Sequence, residues 1–252
     1  MIRVVELTSY LNDLLACAKY SDYAPNGLQI EGKPAIARLC TAVTASDEVI
    51  SQAAQWQADA LLVHHGYFWK GEALPLIGMK GQRVKKLFLH EMNLLAYHLP
   101  LDCHLELGNN ACLAKLFAAQ SVVAHKVGAV DNLLWSGKLT DALSPLALSD
   151  FLSIQLQRMP LHIAGQPASI SSIAWCSGGA QDYIEEAWQL GVDAYISGEV
   201  SERTYYQAKE LGIHYYACGH HATERYGIQA LGAHLAEVFP IEHLFIDSDN
   251  PV

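Results

Sequence analysis

The chain has 252 residues, 51% hydrophobic and 17% charged, which is enough to bury a core as one domain or two lobes and excludes a long disordered tail. Its formal net charge of −10 argues against a monomer that binds nucleic acid by neutralising phosphates. The amino terminus lacks the basic-then-apolar order of a signal peptide, and no apolar run reaches the roughly 18–20 residues that cross a bilayer. We therefore expect a soluble, cytoplasmic protein with no membrane partner, whose six scattered cysteines are reduced thiols.

The first half of the chain alternates predicted helices and strands. Residues 3–19 show helical apolar spacing and end near the turn-like segment 21–27. The strands that follow are predicted at 38–44, 60–64 and 94–98. Helices are predicted between and after them, at 47–57, 82–91 and 109–118. Strands that alternate with helices in this way indicate an α/β sheet flanked by helices.

The same alternation returns in the second half. Strands are predicted at 173–176, 194–197, 214–217 and 243–247, and helices at 181–190, 201–211 and 222–238. A shift of 134 residues without gaps places residues 44–65 on residues 178–199. We therefore predict two related α/β lobes with mixed sheets, at residues 1–120 and 170–252, joined by an irregular segment at 121–169.

Two adjacent histidines, His64 and His65, end a predicted buried strand. Neighbouring residues of a regular strand point to opposite faces, so both rings can converge on one ion only at the strand's end, where the chain turns through Gly66. The dipeptide is equally the kind that forms hydrogen-bonded loop histidines without a metal. The pair alone leaves both interpretations open.

Two further clusters follow predicted strands. Asp102 comes just after the strand that ends near His98, and its carboxylate can bridge two cations or cap a turn. His220 and Glu224 are four residues apart and share a face if a helix begins at the histidines. His221 is three residues from Glu224 and is the alternative partner. Asp102 alone leaves both interpretations open, and the spacing of His220 and Glu224 alone is weak evidence because it arises often by chance.

The three clusters together predict a metal centre. All follow predicted strands, so they are expected at the same edge of their sheets. Three imidazoles and two carboxylates suit two ions that share a carboxylate or a water. Mixed nitrogen and oxygen ligation favours zinc, manganese, iron, cobalt or nickel over magnesium or calcium. The predicted ligands are His64, His65, Asp102, His220 and Glu224, drawn from both lobes.

Several neighbouring residues are candidates for other roles. Tyr67, Trp69 and Lys70 follow the histidine pair and are expected to wall a pocket for a flat substrate, with Lys70 meeting phosphate, or to pack against another subunit. Glu199 overlays His65 on the repeat and is a candidate general base or a residue that supports a ligand. The dinucleotide-binding, P-loop and nucleophile-elbow motifs do not occur.

The sequence closely resembles the Nif-three-like dinuclear-metal proteins, often labelled GTP cyclohydrolase I type 2 homologues. The resemblance runs nearly end to end and rests on residues 21–29, 63–69, 98–102, 108–110, 197–199 and 219–225. It implies the Nif-three-like fold in its short bacterial form, and a ring-shaped homohexamer whose metal sites face an inner cavity. It maps the family's two-metal ligands onto the five residues named above. It places His98 beside them, as a candidate catalytic residue that acts through contact with a ligand.

We expect a metal-dependent hydrolase that acts on a nucleotide-like or other small substrate. The cyclohydrolase label implies that water attacks a purine ring carbon, with ring opening and release of formate. The alternative is a metal-containing ring scaffold that binds nucleic acid or protein partners in DNA repair or regulation, although the net charge disfavours nucleic acid. Metal storage or delivery is a third hypothesis, which predicts fast metal exchange and no turnover.

Overall fold

Parallel strands joined by helices form the centre of each of two units in the computed structural model, which describes residues 1–252. Unit 1 comprises Met1–Leu101 and Gly227–Asp249, and unit 2 comprises Asp102–Tyr226 and Asn250–Val252. Both units carry mixed sheets flanked by helices, so the predicted α/β class is confirmed. None of the helices has the combination of length and apolar character that a bilayer span needs.

Unit 1 is built on a five-stranded sheet with the order β13-β4-β5-β6-β2. Its strands are β1 (Ile2–Arg3), β2 (Gly27–Ile30), β3 (Ala35–Ile36), β4 (Arg38–Thr44), β5 (Ala60–His65), β6 (Asn93–Ala96) and β13 (Glu242–Phe245). Its helices are α1 (Val4–Leu14), α2 (Asp47–Gln55) and α3 (Gly78–Leu89), with a 3-10 turn at Cys17–Lys19. Strands β13, β4, β5 and β6 run parallel, whereas β2 is antiparallel to β6.

Burial explains why β5 forms at the centre of this sheet. Residues 60–64 are all buried, as expected for a parallel strand covered on both faces. Helix α2 begins where Ser46 Oγ accepts the N–H of Val49, and it packs Val49 and Ile50 into the core with Leu61 and Val63. The core of unit 1 therefore lies between the parallel strands and the helices that connect them.

Unit 2 is built on a six-stranded sheet with the order β7-β8-β10-β11-β12-β9. Its strands are β7 (Gln120–Val127), β8 (Val130–Leu143), β9 (Leu161–Ile163), β10 (Ile170–Cys176), β11 (Ala194–Ser197) and β12 (His214–Ala217). Its helices are α5 (Asn109–Leu116), α6 (Pro145–Leu156), α7 (Ile184–Gln189) and α8 (Glu202–Leu211), with a 3-10 turn at Gln181–Tyr183. Two helices, α4 (Leu99–Asp102) and α9 (His220–Val238), contain a boundary between the units along the chain.

The segment 121–169 corrects the prediction of an irregular connection. It forms β7, β8, α6 and β9, and three of these are strands of the six-stranded sheet. Strand β7 is an edge strand with mostly exposed residues, so it lacks the apolar alternation that marks a half-buried strand. Hydrogen bonding to β8, rather than a hydrophobic pattern, defines it. The lobe limits also differ from the predicted 1–120 and 170–252, because unit 1 regains residues 227–249.

The internal repeat is visible in the strand register. In unit 1, Leu39 pairs with Ala60, and in unit 2, Ile173 pairs with Ala194. Both pairs are related by the same shift of 134 positions that the sequence suggests. The shift also places α2 on residues 181–189, which are the 3-10 turn and α7. Each unit therefore contains the same β-α-β element in the same register.

Candidate metal centre

The histidine pair lies at the end of β5 in unit 1. His64 is fully buried, and its Nδ1 lies 2.9 Å from the main-chain oxygen of Tyr97. Because a carbonyl oxygen only accepts, Nδ1 carries the proton, and Nε2 is the nitrogen that can bind a metal. His65 Nδ1 lies 3.2 Å from Thr44 Oγ1, and the two histidine rings have centroids 4.6 Å apart. The pair therefore converges, as the strand-end position predicts.

The turn after this pair requires glycine. A Cβ at Gly66 would lie 2.2 Å from Gln29 Oε1 and 2.7 Å from Ala96 Cβ. The Gln29 amide accepts the N–H of Tyr67 at 2.8 Å and donates to its carbonyl at 3.1 Å. This clamp ends β5 directly after the histidines, so that the chain turns away while both rings stay at the strand's end.

A third histidine stands beside the pair. His98 has its ring centroid 5.1 Å from that of His64 and 5.8 Å from that of His65. Its Nδ1 lies 2.8 Å from Asp22 Oδ1. Burial raises the pKa of Asp22, but the hydrogen bonds and charge of His98, with the hydrogen bonds from Asn26 and the Tyr23 N–H, outweigh it and lower the pKa. One ligand atom from each of the three histidines lies within 4.8 Å of the others.

The aromatic segment after the pair has two different environments. Tyr67, predicted to wall a substrate pocket, is instead 5% exposed and packs in the core of unit 1, where its hydroxyl donates to the Ala45 carbonyl. It is therefore removed from the pocket hypothesis. Trp69 is half-buried, with its ring centroid 5.0 Å from that of His98 and 5.9 Å from that of His65. Lys70 is exposed.

Asp102 ends α4 and is held by a buried polar network in unit 2. Its side chain is 5% exposed, and Oδ1 accepts from Asn109 Nδ2 at 2.8 Å and from Ser177 Oγ at 3.1 Å. The main-chain N–H of Ser177 donates to Asn110 Oδ1 at 2.9 Å. Both asparagines are fully buried at the start of α5. The start of α5 and the end of β10 therefore fix the orientation of this carboxylate.

The third cluster occupies the first turn of α9. His220 Nε2 lies 3.0 Å from Glu224 Oε2, so these two side chains meet across one helical turn. On its other side, His220 Nδ1 lies 2.7 Å from Glu199 Oε1. Glu224 is buried, whereas the side chain of Glu199 is 39% exposed. One imidazole is therefore held between two carboxylates.

This arrangement changes the proton affinity of the ring. Burial alone lowers the pKa of His220, but the hydrogen bonds and charges of Glu224 and Glu199 outweigh it and raise the pKa to about 9. At neutral pH the ring then carries a positive charge when no other cation is present. The Nε2 nitrogen of His220 and the carboxylate of Glu224 are donors of the kinds that divalent transition metals prefer, while Glu199 holds the other ring nitrogen.

The absence of a side chain at Gly178 leaves room for His220 and Glu224. This glycine follows β10 with φ at +68°, and a Cβ there would lie 2.1 Å from Glu224 Oε1 and 3.2 Å from His220 Nε2. Its N–H donates to Thr223 Oγ1 at 3.0 Å, which ties the turn to the same helix. A side chain at this position would therefore fill the space between the imidazole and the carboxylate.

Four residues that the sequence did not predict as part of the metal centre contact the candidate ligands or leave room for them. Asp22, Asn109 and Ser177 each contact a candidate ligand or its neighbour, and Gly178 gives the ligands room. Asp22 and Asn109 fall inside the motifs that carry the family resemblance, which was the available signal. Asp22 contacts His98, which is 76 positions away, so no local sequence pattern could predict this pair. Asn109 is only 7 positions from its partner Asp102, which is within the range of a local pattern.

Comparisons with known proteins cover the whole chain. A family model described as Duf34/NIF3 (NGG1p interacting factor 3) matches residues 2–251. A protein of Allochromatium vinosum is 49% identical over 251 residues, with 100% of this chain and 98% of that protein covered. One of Yersinia pestis is 51% identical over 251 residues, with 99% and 100% covered. Both relatives are named GTP cyclohydrolase 1 type 2 homolog.

A solved structure agrees with these sequence matches. The protein described as "protein ybgI, unknown function" superposes with a TM-score of 0.95 at 45% identity, and 100% of each chain is covered. The resemblance that the motifs indicate is therefore confirmed, and so is the fold that it implies. The chain belongs to the Duf34/NIF3 family.

Proposed function

We propose that this protein is a metal-dependent hydrolase that holds two divalent ions and acts on a nucleotide-like or other small substrate. The proposed ligands are His64, His65, Asp102, His220 and Glu224. The relatives' name, GTP cyclohydrolase 1 type 2 homolog, supports a nucleotide-like substrate. Zinc, iron, manganese, cobalt and nickel all suit a mixed imidazole and carboxylate set.

The observation that carries this proposal is the position of the His220 ring between two carboxylates. Its ring lies between Glu199 and Glu224, and each nitrogen has a carboxylate oxygen within 3.0 Å. Burying the carboxylate of Glu224 costs free energy unless a cation compensates it, and a bound divalent ion would take over this role from the protonated His220 ring. The site therefore concentrates negative charge where a cation is to be bound.

Each residue of the site has its own role in the proposed reaction. When bound, two divalent cations lower the pKa of water and so supply hydroxide near neutral pH. Glu199 accepts the Nδ1 proton of His220, which keeps Nε2 available to a metal once its own proton leaves. Asn109 and Ser177 orient Asp102. The half-buried ring of Trp69 offers a flat surface beside the histidines, and exposed Lys70 suits a phosphate.

Turnover by metal-loaded protein tests the proposal. Purified full-length chain is loaded separately with each of the five metals and incubated with GTP and a panel of nucleotides, and formate and ring-opened products are measured. Asp102→Ala is expected to abolish turnover and to lower the metal content. The matched control is Asp141→Ala, which removes an exposed carboxylate and is expected to retain both. Equal turnover by Asp102→Ala and wild type would contradict the proposal.

A further inference from the structure

Arg158 is an unpaired cation of unit 2. Its side chain is half-buried, its guanidinium makes no hydrogen bond or ion pair, and its Nε atom is shielded from solvent. The other arginines of unit 2 are both engaged. Arg203 forms an ion pair with Asp182. Arg225 donates a hydrogen bond to the Leu156 carbonyl. A partly buried charge without a partner costs free energy, so it is expected at a functional site where a bound ion supplies the partner.

The backbone that carries Arg158 is fixed to helix α9. Helix α6 is followed by Gln157, whose φ of +56° turns the chain before Arg158. The side chains of Arg225 and Tyr226, both on α9, each donate a hydrogen bond of 2.9 Å to a main-chain carbonyl in the last turn of α6. The unpaired guanidinium therefore projects from a segment whose position relative to α9 is defined.

Gly219 allows the Arg158 side chain to lie beside a candidate metal ligand. This glycine has φ at +97°, and a Cβ there would lie 2.6 Å from Arg158 Cδ and 2.7 Å from Arg158 Nε. The arginine therefore packs against the backbone of the residue that precedes His220. Burial raises the pKa of the neighbouring Cys218 thiol, and the charge of Arg158 opposes this rise. The cation thus stands at the start of α9, one residue from a proposed ligand.

We propose that Arg158 binds a phosphate group of the substrate and so makes the centre selective for phosphorylated compounds. This inference rests on the proposed function, because the phosphate belongs to the nucleotide-like substrate of the same centre. It goes beyond that function, in which only exposed Lys70 is matched to a phosphate. Arg158 is then a specificity-determining residue rather than a metal ligand.

A phosphate group has the chemistry that this position lacks. A guanidinium presents its donors in a planar fork that binds two oxygens of one phosphate at the same time. The first turn of α9 adds the positive end of the helix dipole, which also favours an anion. In an attack on a ring carbon, the phosphate of a nucleotide is not the reacting group. Its contact is therefore expected beside the metal ligands, as Arg158 is, and not among them.

Phosphate binding tests the role of Arg158 without requiring turnover. Wild type, Arg158→Gln and Arg158→Lys are studied by equilibrium dialysis with radiolabelled inorganic phosphate, both in a chelator and after loading with zinc. Because hydrogen bonds to charged groups are strong, we expect Arg158→Gln to bind phosphate about 10–100-fold more weakly in both states. Arg158→Lys keeps the charge but loses the fork, so its affinity is expected to lie between the two.

Arg203→Gln is the matched control, because it makes the same change at an exposed arginine of unit 2 that already has a carboxylate partner. It is expected to bind phosphate as wild type does. Circular dichroism and thermal melting show whether each variant folds. For any nucleotide that is turned over, Arg158→Gln should raise KM about 10–100-fold and largely retain kcat.

The outcomes separate this inference from the proposed function. If wild type binds no phosphate, or if folded Arg158→Gln binds it as tightly as wild type does, the inference is overturned while metal binding and turnover can stand. If wild type binds no metal and turns over no nucleotide, the proposed function fails, and the assignment of the phosphate to a substrate fails with it.

A measurement on the wild type covers the case in which a variant does not fold. Phenylglyoxal modifies accessible guanidinium groups, and peptide mass spectrometry reports Arg158 and Arg203 separately in one sample. Inorganic phosphate is expected to slow the modification of Arg158 and to leave that of Arg203 unchanged. Equal modification of Arg158 with and without phosphate would overturn the inference.

Discussion

Asp59 and Asp193 stand 134 positions apart in the chain and make the same hydrogen bonds in their respective units. Asp59 Oδ2 accepts the main-chain N–H groups of Ala37 and Arg38 at 2.9 and 3.0 Å. Asp193 Oδ2 accepts those of Ser171 and Ser172 at 2.8 and 2.9 Å. Each carboxylate therefore satisfies the backbone at the start of the first parallel strand of its repeat. This shared contact supports the internal duplication more strongly than the few sequence identities do.

Replacing either aspartate is expected to destabilise the protein. Asp59→Asn or Asp193→Asn turns a charged acceptor of two backbone N–H groups into a neutral one, at a cost of about 1–3 kcal/mol in free energy of unfolding. Asp141→Asn, at an exposed position, is the control and should change stability by less than about 0.5 kcal/mol. Urea unfolding at neutral pH measures all three. Unchanged midpoints for both repeat variants would contradict the role assigned to these carboxylates.

The same contacts predict an acid-dependent loss of stability. Burial raises the pKa of Asp59, but hydrogen bonds from Lys33 and the Ala37 and Arg38 N–H groups outweigh it and lower the pKa. The pKa of Asp193 is also lowered, by hydrogen bonds from Ser171 and Ser172 that outweigh burial. Their stabilisation is present above the unfolded pKa of about 3.9 and is lost as pH falls through the lower folded pKa. The difference between wild type and Asp59→Asn should therefore shrink as pH falls below about 4.

Gly178→Ala is expected to damage the metal centre as well as the fold. The added Cβ would meet Glu224 Oε1 at 2.1 Å, so the carboxylate must move. Gly191 is a matched control, because its φ of +72° is close to the +68° of Gly178 but nothing lies within 4 Å of an added Cβ. Gly191→Ala should cost only the backbone strain of roughly 1–2 kcal/mol. Gly178→Ala should cost more and also lower the metal content, whereas equal behaviour of the two would refute this.

Metal affinity should rise with pH up to about 9. The pKa of His220 is raised to about 9 by Glu224 and Glu199 despite burial, so below that value a proton competes with the metal for Nε2. Each unit of decreasing pH then costs up to about tenfold in affinity from this one proton, and the slope should flatten above pH 9. Chelator competition from pH 6 to pH 9.5 measures the dependence. A constant affinity over this range would contradict the competition.

Glu199→Gln is expected to weaken metal binding without removing a ligand. The amide can still accept the Nδ1 proton of His220 but no longer stabilises positive charge on the ring. We expect a loss of about 10–100-fold in affinity with the same number of ions at saturation. Glu202→Gln, at a nearby exposed position, is the control. Loss of a whole ion at saturation would instead make Glu199 a direct ligand.

We propose, from the family resemblance, that six copies of the chain assemble into a ring. The isolated chain exposes large apolar side chains that such contacts would cover, among them Leu74 at 92%, Ile77 at 75% and Ile154 at 75%. Light scattering coupled to size exclusion should give about six times the 27.6 kDa mass of one chain. A mass that stays at one chain across dilution would rule out this assembly.

Much of the fold can be predicted from the sequence, because short helices and buried parallel strands are marked by patterns among neighbouring residues. The strands Arg38–Thr44, Ala194–Ser197 and His214–Ala217 begin and end where they are predicted, since each is a short, largely buried segment rich in apolar and aromatic residues. The strand-end positions of the candidate ligands follow from the same reasoning. The family resemblance maps its two-metal ligands onto the same five residues that the three strand-end clusters predict.

Which residues orient and surround the candidate ligands depends on contacts that form only in the folded chain. The pairing of Asp22 with His98 joins residues 76 positions apart, and the burial of Tyr67 depends on contacts with the sheet and its helices. Strand β7 forms because β8 supplies its hydrogen bonds, and no local apolar pattern predicts this pairing. Packing and long-range hydrogen bonds are properties of the folded chain, so the supporting contacts of His64, Asp102 and His220 became visible only there.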